Sequence, residues 1–358
     1  MVNIKWDIGT AYDMFVSLVV LHYPAEFGVR AAWAAGMRSR LPSEERETLE
    51  ALVLAANVPF EFIHALPAPK SGASVLEALA KLPPEERLPM LCQRCSLVED
   101  LPVFLNGVSE RGMWDADDLA TFADLAKHEP HIKKLKETEL GCMLDLWKDR
   151  VSSGGKVLRA LQAYYDVFFA EEESRIQPAL ESALDKAKAL ASDRSLIDLL
   201  EELSRGVRIE KDFKAKTLYL TPSFWTTPLM YFGDVGPEEE IILFGARPDD
   251  ASLIPGEVVP DALLNGLKAL SDPTRLKILY YLSKEALTPT QLSRRLRLRT
   301  STVTHHLDIL RLATLVQLIL SKSKGTEKRY ATRADTVEGL TQGLREFLGM
   351  KDVNSKKL

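Results

Sequence analysis

The chain is expected to be mainly α with small β elements, an α+β fold. Three observations carry this expectation. Over most of the first 205 residues, apolar side chains recur at helical spacing between proline-led helix starts. Between 206 and 247 the runs are short, β-favouring and bounded by turns. In the last hundred residues a capped helix pair, a helix polar on one face and a basic hairpin follow one another. At 358 residues, 46% hydrophobic and 27% charged, the chain is long for one core, so two or more domains are expected.

Composition narrows the function classes. No run of about 20 apolar residues occurs, so no membrane span is expected. The apolar stretch 14–21 follows Asp7 and Asp13, lacks a basic leader and reads as a buried helix, not a signal peptide. Three cysteines in a long chain argue against a disulfide scaffold and for a reducing, cytoplasmic setting. The net charge of −5 hides an asymmetry. Residues 258–358 carry 18 Lys and Arg against 9 Asp and Glu, a net of +9, and the remainder carries 28 against 42, a net of −14. A basic part joined to an acidic one suggests that only the tail meets a polyanion.

In order along the chain, residues 9–150 read as helical. Leu41-Pro42-Ser43-Glu44-Glu45 and Leu82-Pro83-Pro84-Glu85-Glu86 each start a helix with carboxylates in its first turn. Residues 67–72 form a loop. Trp114-Asp115-Ala116-Asp117-Asp118 supplies cap oxygens for a helix reaching Lys127, and Pro130 is expected to open the next, ending near Arg150. Val151-Ser152-Ser153-Gly154-Gly155 reads as a break. From Lys156 a long helix is expected, with Leu158, Leu161, Tyr165, Phe168, Phe169, Ile176, Leu180 and Leu184 at helical spacing. Pro178 should bend or divide it. Another helix covers 196–203 and stops at Gly206.

Strands are expected at 207–213, 217–220 and 240–244. Pro222 and Pro228 argue against a central strand in Thr221-Pro222-Ser223-Phe224-Trp225-Thr226-Thr227-Pro228. These runs suggest a small antiparallel sheet attached to the helical part, followed by a connector at 247–259. The expected organisation is thus 1–205, a helical N-terminal domain; 206–257, the β element and linker; and 258–358, a C-terminal domain.

That last domain carries the most legible chemistry. Ser271 or Asp272 caps a helix whose first residue is Pro273, with Leu276, Leu279, Tyr280 and Leu282 as its inner face. Thr288 caps the next helix, whose Leu292 and Leu296 face inward. After the turn Arg297-Leu298-Arg299-Thr300 comes a helix in which Val303, Leu307 and Leu310 pack inward, leaving Ser301, Thr302, Thr304 and His305 outside. Short polar side chains near a helix N-terminus let its backbone approach base edges in a DNA major groove. Arg294, Arg295, Arg297 and Arg299 crowd the neighbouring turn. Residues 315–320 and 328–332 can pair as a hairpin whose tip region holds Lys322, Lys324, Lys328 and Arg329, suited to phosphate or the minor groove. This order is the plan of a winged helix-turn-helix. The residues expected at DNA are Arg299, Thr300, Ser301, Thr302, Thr304, His305, Lys322, Lys324, Lys328 and Arg329.

Residues 262–332 resemble the winged-helix domain of the ArsR family of bacterial transcription regulators. The resemblance rests on Leu267-Lys268-Ala269-Leu270-Ser271-Asp272-Pro273-Thr274-Arg275-Leu276-Lys277-Ile278-Leu279, on Ser301-Thr302-Val303-Thr304-His305-His306-Leu307 with Leu310, and on Leu315-Val316 at the start of the wing. It implies a dimeric DNA-binding regulator, often a repressor released by a ligand. Metal-sensing members carry thiols in the helix before the turn. Residues 258–358 contain no cysteine, so no metal site of that kind is expected. Thr314 stands where a glycine commonly ends the recognition helix, Asp308 where a cation is common, and His306 at a position that usually supports the fold. More loosely, Tyr164-Tyr165-Asp166-Val167-Phe168-Phe169 with 171–176, and Thr221-Pro222-Ser223-Phe224-Trp225 with Pro228, resemble the long N-terminal region of some larger regulators of this family.

Other chemistries find less support. Cys92 and Cys95 have the spacing of half a zinc site, but neither Cys142 nor His64 completes it at a characteristic spacing. His128 and His131 are separated by Pro130. Glu171, Glu172 and Glu173 with Asp166 read as a solvated or Arg175-paired face. No glycine-rich phosphate loop, serine elbow or zinc-protease motif occurs. No catalytic residue, metal or cofactor is therefore expected. Tyr165, Phe169 and Trp225 are candidates for an apolar effector pocket, although aromatics at helical spacing also suit a core. The alternatives to a regulator are a scaffold that uses the winged helix for protein contact and an enzyme in the N-terminal domain.

Overall fold

The computed structural model describes residues 2–56, 58–92, 100–128, 132–210, 213–320 and 328–350. Among them the strands are β1 (Asn3–Trp6), β2 (Val207–Ile209), β3 (Thr217–Ser223), β4 (Tyr231–Gly236), β5 (Glu239–Gly245), β6 (Val316–Leu320) and β7 (Lys328–Thr332). The helices begin with α1 (Thr10–His22), α2 (Ala31–Arg38), α3 (Ser43–Ala55), α4 (Phe60–His64), α5 (Gly72–Lys81), α6 (Pro84–Cys92), α7 (Asp100–Arg111) and α8 (Ala116–Ala126). They continue with α9 (Glu137–Lys148), α10 (Arg150–Tyr164), α11 (Ala170–Ala191), α12 (Leu196–Leu203), α13 (Asp261–Leu270), α14 (Pro273–Leu282), α15 (Pro289–Leu296), α16 (Thr300–Leu312) and α17 (Ala334–Phe347). The fold is mainly α with small β elements, as expected.

The chain divides into two compact units. The first comprises Met1–Glu181, Ala215–Trp225 and Phe232–Ile242. Its centre is α1, in which every residue from Thr10 to Leu21 is buried. A helix buried on every side must be surrounded, and α2, α3, α4, α5 and β3 pack on it. Aspartate caps work as the sequence suggests: Asp115 accepts the amides of Asp117 (2.9 Å) and Asp118 (3.0 Å) at the start of α8.

Several expectations need correction. Residues 151–155 are not a break, because α10 begins at Arg150 and runs through both glycines. Gly154 permits this: a Cβ there would stand 1.7 Å from the carbonyl oxygen of Pro84, so the bare Cα lets α6 and α10 touch backbone to backbone. Pro178 does not divide the long helix; α11 continues across it. The interruption falls instead at Tyr165–Phe169, a single π-helical turn between α10 and α11. The helix expected from Pro130, which itself lies outside the described residues, starts at Glu137.

The sheet β1-β3-β5-β4 is mixed, not antiparallel throughout. β1, absent from the sequence reading, runs parallel to β3 with Asn3 opposite Thr217 and Trp6 opposite Leu220. β3 is a central strand that includes Pro222, contrary to expectation. Its register with β1 ends at Leu220, so Pro222 lies beyond that ladder. β2 belongs to another sheet, of order β2-β6-β7.

The second unit comprises Ser182–Lys214, Thr226–Tyr231 and Leu243–Leu358. Its core joins Ala269, Ile278, Leu279, Leu282, Leu287, Leu292, Val303, Leu307, Leu310, Leu315, Val316, Leu318 and Tyr330. These residues come from the helices α13 to α16, from the hairpin β6–β7 and from the connecting residues Leu287 and Leu315, so one small core orients everything described next.

Candidate nucleic-acid interface

Asp272 rather than Ser271 caps α14, accepting the amides of Thr274 (2.8 Å) and Arg275 (2.9 Å). Donation from Arg275 and Thr274 holds its carboxyl below the usual carboxylate range. The inner face of α14 is Ile278, Leu279 and Leu282. Leu276 and Tyr280 are exposed instead, and the Tyr280 ring carries the Lys284 ammonium 4.0 Å from its centroid. The helix turns its 278–282 side to the core, which sends positions 276 and 280 outward.

Thr288 forms a capping box with Gln291 at the start of α15. α15 ends at Arg297, which sits in the left-handed region at φ +55°. That conformation makes the tight turn into α16. Arg299 is the extended N-cap of α16 and makes no side-chain cap bond, and Thr300 is the first helical residue. The leading amides of α16 therefore have no side-chain acceptor at the cap, and the positive end of the helix dipole faces the same way.

The two faces of α16 differ sharply. Val303, Leu307 and Leu310 are all 0% exposed. Ser301, Thr302 and His305 are exposed, and Thr304 is half-buried with its hydroxyl donating to the Thr300 carbonyl at 3.0 Å. The spacing of the inward aliphatics, four and three apart, forces the small polar residues to the other side. Arg294, Arg297 and Arg299 are exposed beside them. Arg295 is engaged elsewhere, pairing with Glu285 at 2.8 Å. His306 is half-buried. Burial pushes its imidazole pKa down, and its Nδ1 is buried with no hydrogen-bond partner among the described residues.

β6 and β7 pair antiparallel, with Val316 opposite Thr332 and Leu320 opposite Lys328. Lys328 and Arg329 are exposed at the end of the ladder nearest the tip. Lys322 and Lys324 lie outside the described residues. The structure thus brings Arg299, Thr300, Ser301, Thr302, Thr304 and His305 together around the start of α16, with Lys328 and Arg329 on the hairpin. Sequence reasoning missed two strand pairings of that hairpin. Leu287 bridges to Tyr330, and β2 runs parallel to β6. The only signal for β2 was its short Val207-Arg208-Ile209 run.

In the first unit, Phe169 and Trp225 are fully buried and Tyr165 is half-buried. The Trp225 ring stacks on Trp33, with centroids 6.3 Å apart, and meets Phe168 edge-on at 5.7 Å. Its indole Nε1 is buried and has no hydrogen-bond partner among the described residues. Tyr165 donates to Glu173 at 2.9 Å. Glu172 is buried and forked by the Arg175 guanidinium. Cys92 is half-buried and Cys142 exposed, while Cys95 and His131 lie outside the described residues. Among the described residues, no group of three or more His, Cys, Asp or Glu is arranged to hold a metal ion. No described helix is long and apolar enough to cross a membrane.

Residues 272–317 match the family model described as bacterial regulatory protein, arsR family. The match spans α14 to the start of β6, the helix pair and the strand that leads into the wing. No curated protein and no solved structure matches the chain. The C-terminal part therefore carries an arsR-family helix-turn-helix domain.

Proposed function

We propose that this chain is a sequence-specific, DNA-binding transcription regulator, acting as a dimeric repressor whose N-terminal part takes a ligand or partner. One observation carries the reading: the start of α16 offers small polar side chains and uncapped amides over a fully buried aliphatic face, within a domain matching arsR-family regulators. Ser301, Thr302, Thr304 and His305 meet base edges in the major groove. Arg299, Thr300, Lys322, Lys324, Lys328 and Arg329 meet phosphate or the minor groove. The net charge of +9 over 258–358 favours the polyanion.

A second copy is expected at α13 and α17. Among its described residues α17 buries none; its last residue Phe347 is exposed, as are Leu348 and Met350 after it and Leu267 on α13. Covering that apolar face is what dimerisation supplies. A two-fold dimer would place its recognition helices on half-sites about one DNA turn apart, about 34 Å, or a multiple of it. Trp225 supports an effector at the aromatic cluster with Tyr165 and Phe169, because its buried indole N–H has no acceptor among the described residues. If Trp225→Ala and Tyr165→Ala altered stability alone and left every effector response intact, that assignment would fall.

The test is selection of genomic DNA fragments on the purified full-length protein, with the enriched fragments titrated at two salt concentrations. A tight, palindromic, salt-sensitive site is expected. No enrichment at low salt would overturn the reading and favour a protein-contact role for the winged helix.

A further inference from the structure

The β6–β7 hairpin is not a free two-stranded ribbon. On one side, Leu287 and Tyr330 exchange both backbone hydrogen bonds, at 2.9 and 2.8 Å. On the other, β2 lies parallel to β6, with Val207 opposite Leu318, Arg208 opposite Ile319 and Ile209 opposite Leu320. The Leu318 amide donates to the Gly206 carbonyl at 2.8 Å, and the Glu210 amide donates to the Leu320 carbonyl at 2.9 Å. Leu320 is the last residue of β6 and faces Lys328, so β2 reaches the root of the wing tip.

The start of β2 is fastened on three sides. The Ser204 hydroxyl accepts the Val207 amide at 2.8 Å, tying the end of α12 to the strand. Gly206 has φ +113°, a conformation that side-chain-bearing residues rarely adopt, and a Cβ there would stand 2.8 Å from Cδ of Arg333. The Arg333 guanidinium passes that bare Cα to donate to the Arg205 carbonyl at 2.5 Å and to Asp335 at 2.9 Å. Glu201 accepts from Arg208 at 2.6 Å and also from the Gln317 amide of β6. Ile209 is 1% exposed, so the strand is packed as well as hydrogen-bonded.

We propose that residues 204–210 form a strap that holds the wing in the orientation in which Lys328 and Arg329 meet the DNA backbone, with Ser204, Gly206 and Arg333 as positioning residues for that contact. The proposal rests on the DNA-binding reading. A wing held by a third strand loses less conformational freedom on binding than a free ribbon would. The strap also has a particular place in the chain. It lies in the stretch Ser182–Lys214 of the second unit, which in sequence stands between Met1–Glu181 and Ala215–Trp225 of the first.

The test uses the full-length protein and a duplex enriched on it, with binding followed by fluorescence anisotropy between 50 and 200 mM salt. Gly206→Ala and Ser204→Ala loosen the strap without changing charge. Gly206→Ala is expected to weaken binding about tenfold and to flatten the log–log salt slope by about one unit, as if a phosphate contact were lost. Ser204→Ala should do the same to a smaller extent, and Arg333→Lys should restore most of what Arg333→Ala removes. Lys328→Ala should cost its full factor in the wild-type background and almost nothing on top of Gly206→Ala, while Thr302→Ala keeps its full cost in both. Wild-type affinity and slope in both strap variants, or undiminished loss from Lys328→Ala in the Gly206→Ala background, would overturn the proposal. Should Gly206→Ala fail to fold, Ser204→Ala and the loss in Arg333→Ala with its rescue by Arg333→Lys decide it. A wild-type protein that binds no duplex at low salt would instead remove the DNA-binding reading itself, and the strap's role with it.

Discussion

Thr314 ends the turn after α16 with φ +57°, a backbone conformation that costs a β-branched residue about 1–2 kcal/mol. Glycine adopts it freely, although its own loss of freedom on folding offsets part of the gain. Thr314→Gly is therefore expected to stabilise the second unit by about 1 kcal/mol, read as a higher urea midpoint. Asp13 shows the opposite kind of tension. It is 0% exposed and accepts from the Ser223 hydroxyl at 2.7 Å and from the Trp225 and Phe224 amides at 2.8 and 3.2 Å. Burial pushes its carboxyl up to about 7 against those donors. With the folded value raised above 3.8, the folded state holds a proton that the unfolded state has released. The first unit should then lose stability as pH rises from about 4 to about 7 and level off above that. Asp13→Asn should remove this slope, which denaturation across that pH range would show. Asp7 runs the other way. Burial alone would raise its carboxyl, but His64, Lys70 and Tyr12 together hold it down to about 2. Its contribution persists above pH 4 and is lost only as pH falls toward 2.

Elements were legible where a single local rule decides them. Thr288, Asp272 and Asp115 cap as their positions suggested, and the aliphatic spacing of α16 placed its polar face correctly. Elements were misread where a distant neighbour decides. Gly154 looks like a breaker because glycine is a poor helix former, yet Pro84 across the interface requires it. Gly154→Ala should accordingly cost about 3 kcal/mol, far more than an ordinary helical Gly→Ala change, which usually stabilises. A thermal midpoint that rises in this variant would contradict the close approach of α6 and α10. β1, and the partner of the expected strand at β2, were missed for a related reason. Each is short and takes its partner from a strand 100 residues or more away, β3 and β6 respectively, so no local turn signal announces the pairing. Leu276 and Tyr280 were assigned inward from helical period alone, which fixes the spacing of a face but not which of two apolar faces meets the core.

At the scale of the whole molecule, the charge asymmetry and the helix order made the C-terminal half of the reading accessible from sequence, while the N-terminal part offered only caps and apolar spacing. The same division holds for function. The DNA reading rests on residues that stand together around α16 and on the hairpin. The effector reading rests on aromatic residues that also build a core, and Trp225, at 0% exposure, serves that core whatever else it does. In the proposed regulator α16 reads sequence and the wing supplies phosphate contact. The most direct test is to titrate the wild type, Lys328→Ala and Thr302→Ala on an enriched duplex and on an unrelated one across salt concentrations. Lys328→Ala should weaken both duplexes alike and lower the salt slope by about one unit, whereas Thr302→Ala should change the preference between duplexes and leave the slope unchanged. If the two substitutions behaved alike, or the wild type bound neither duplex in a salt-dependent way, the account would be contradicted.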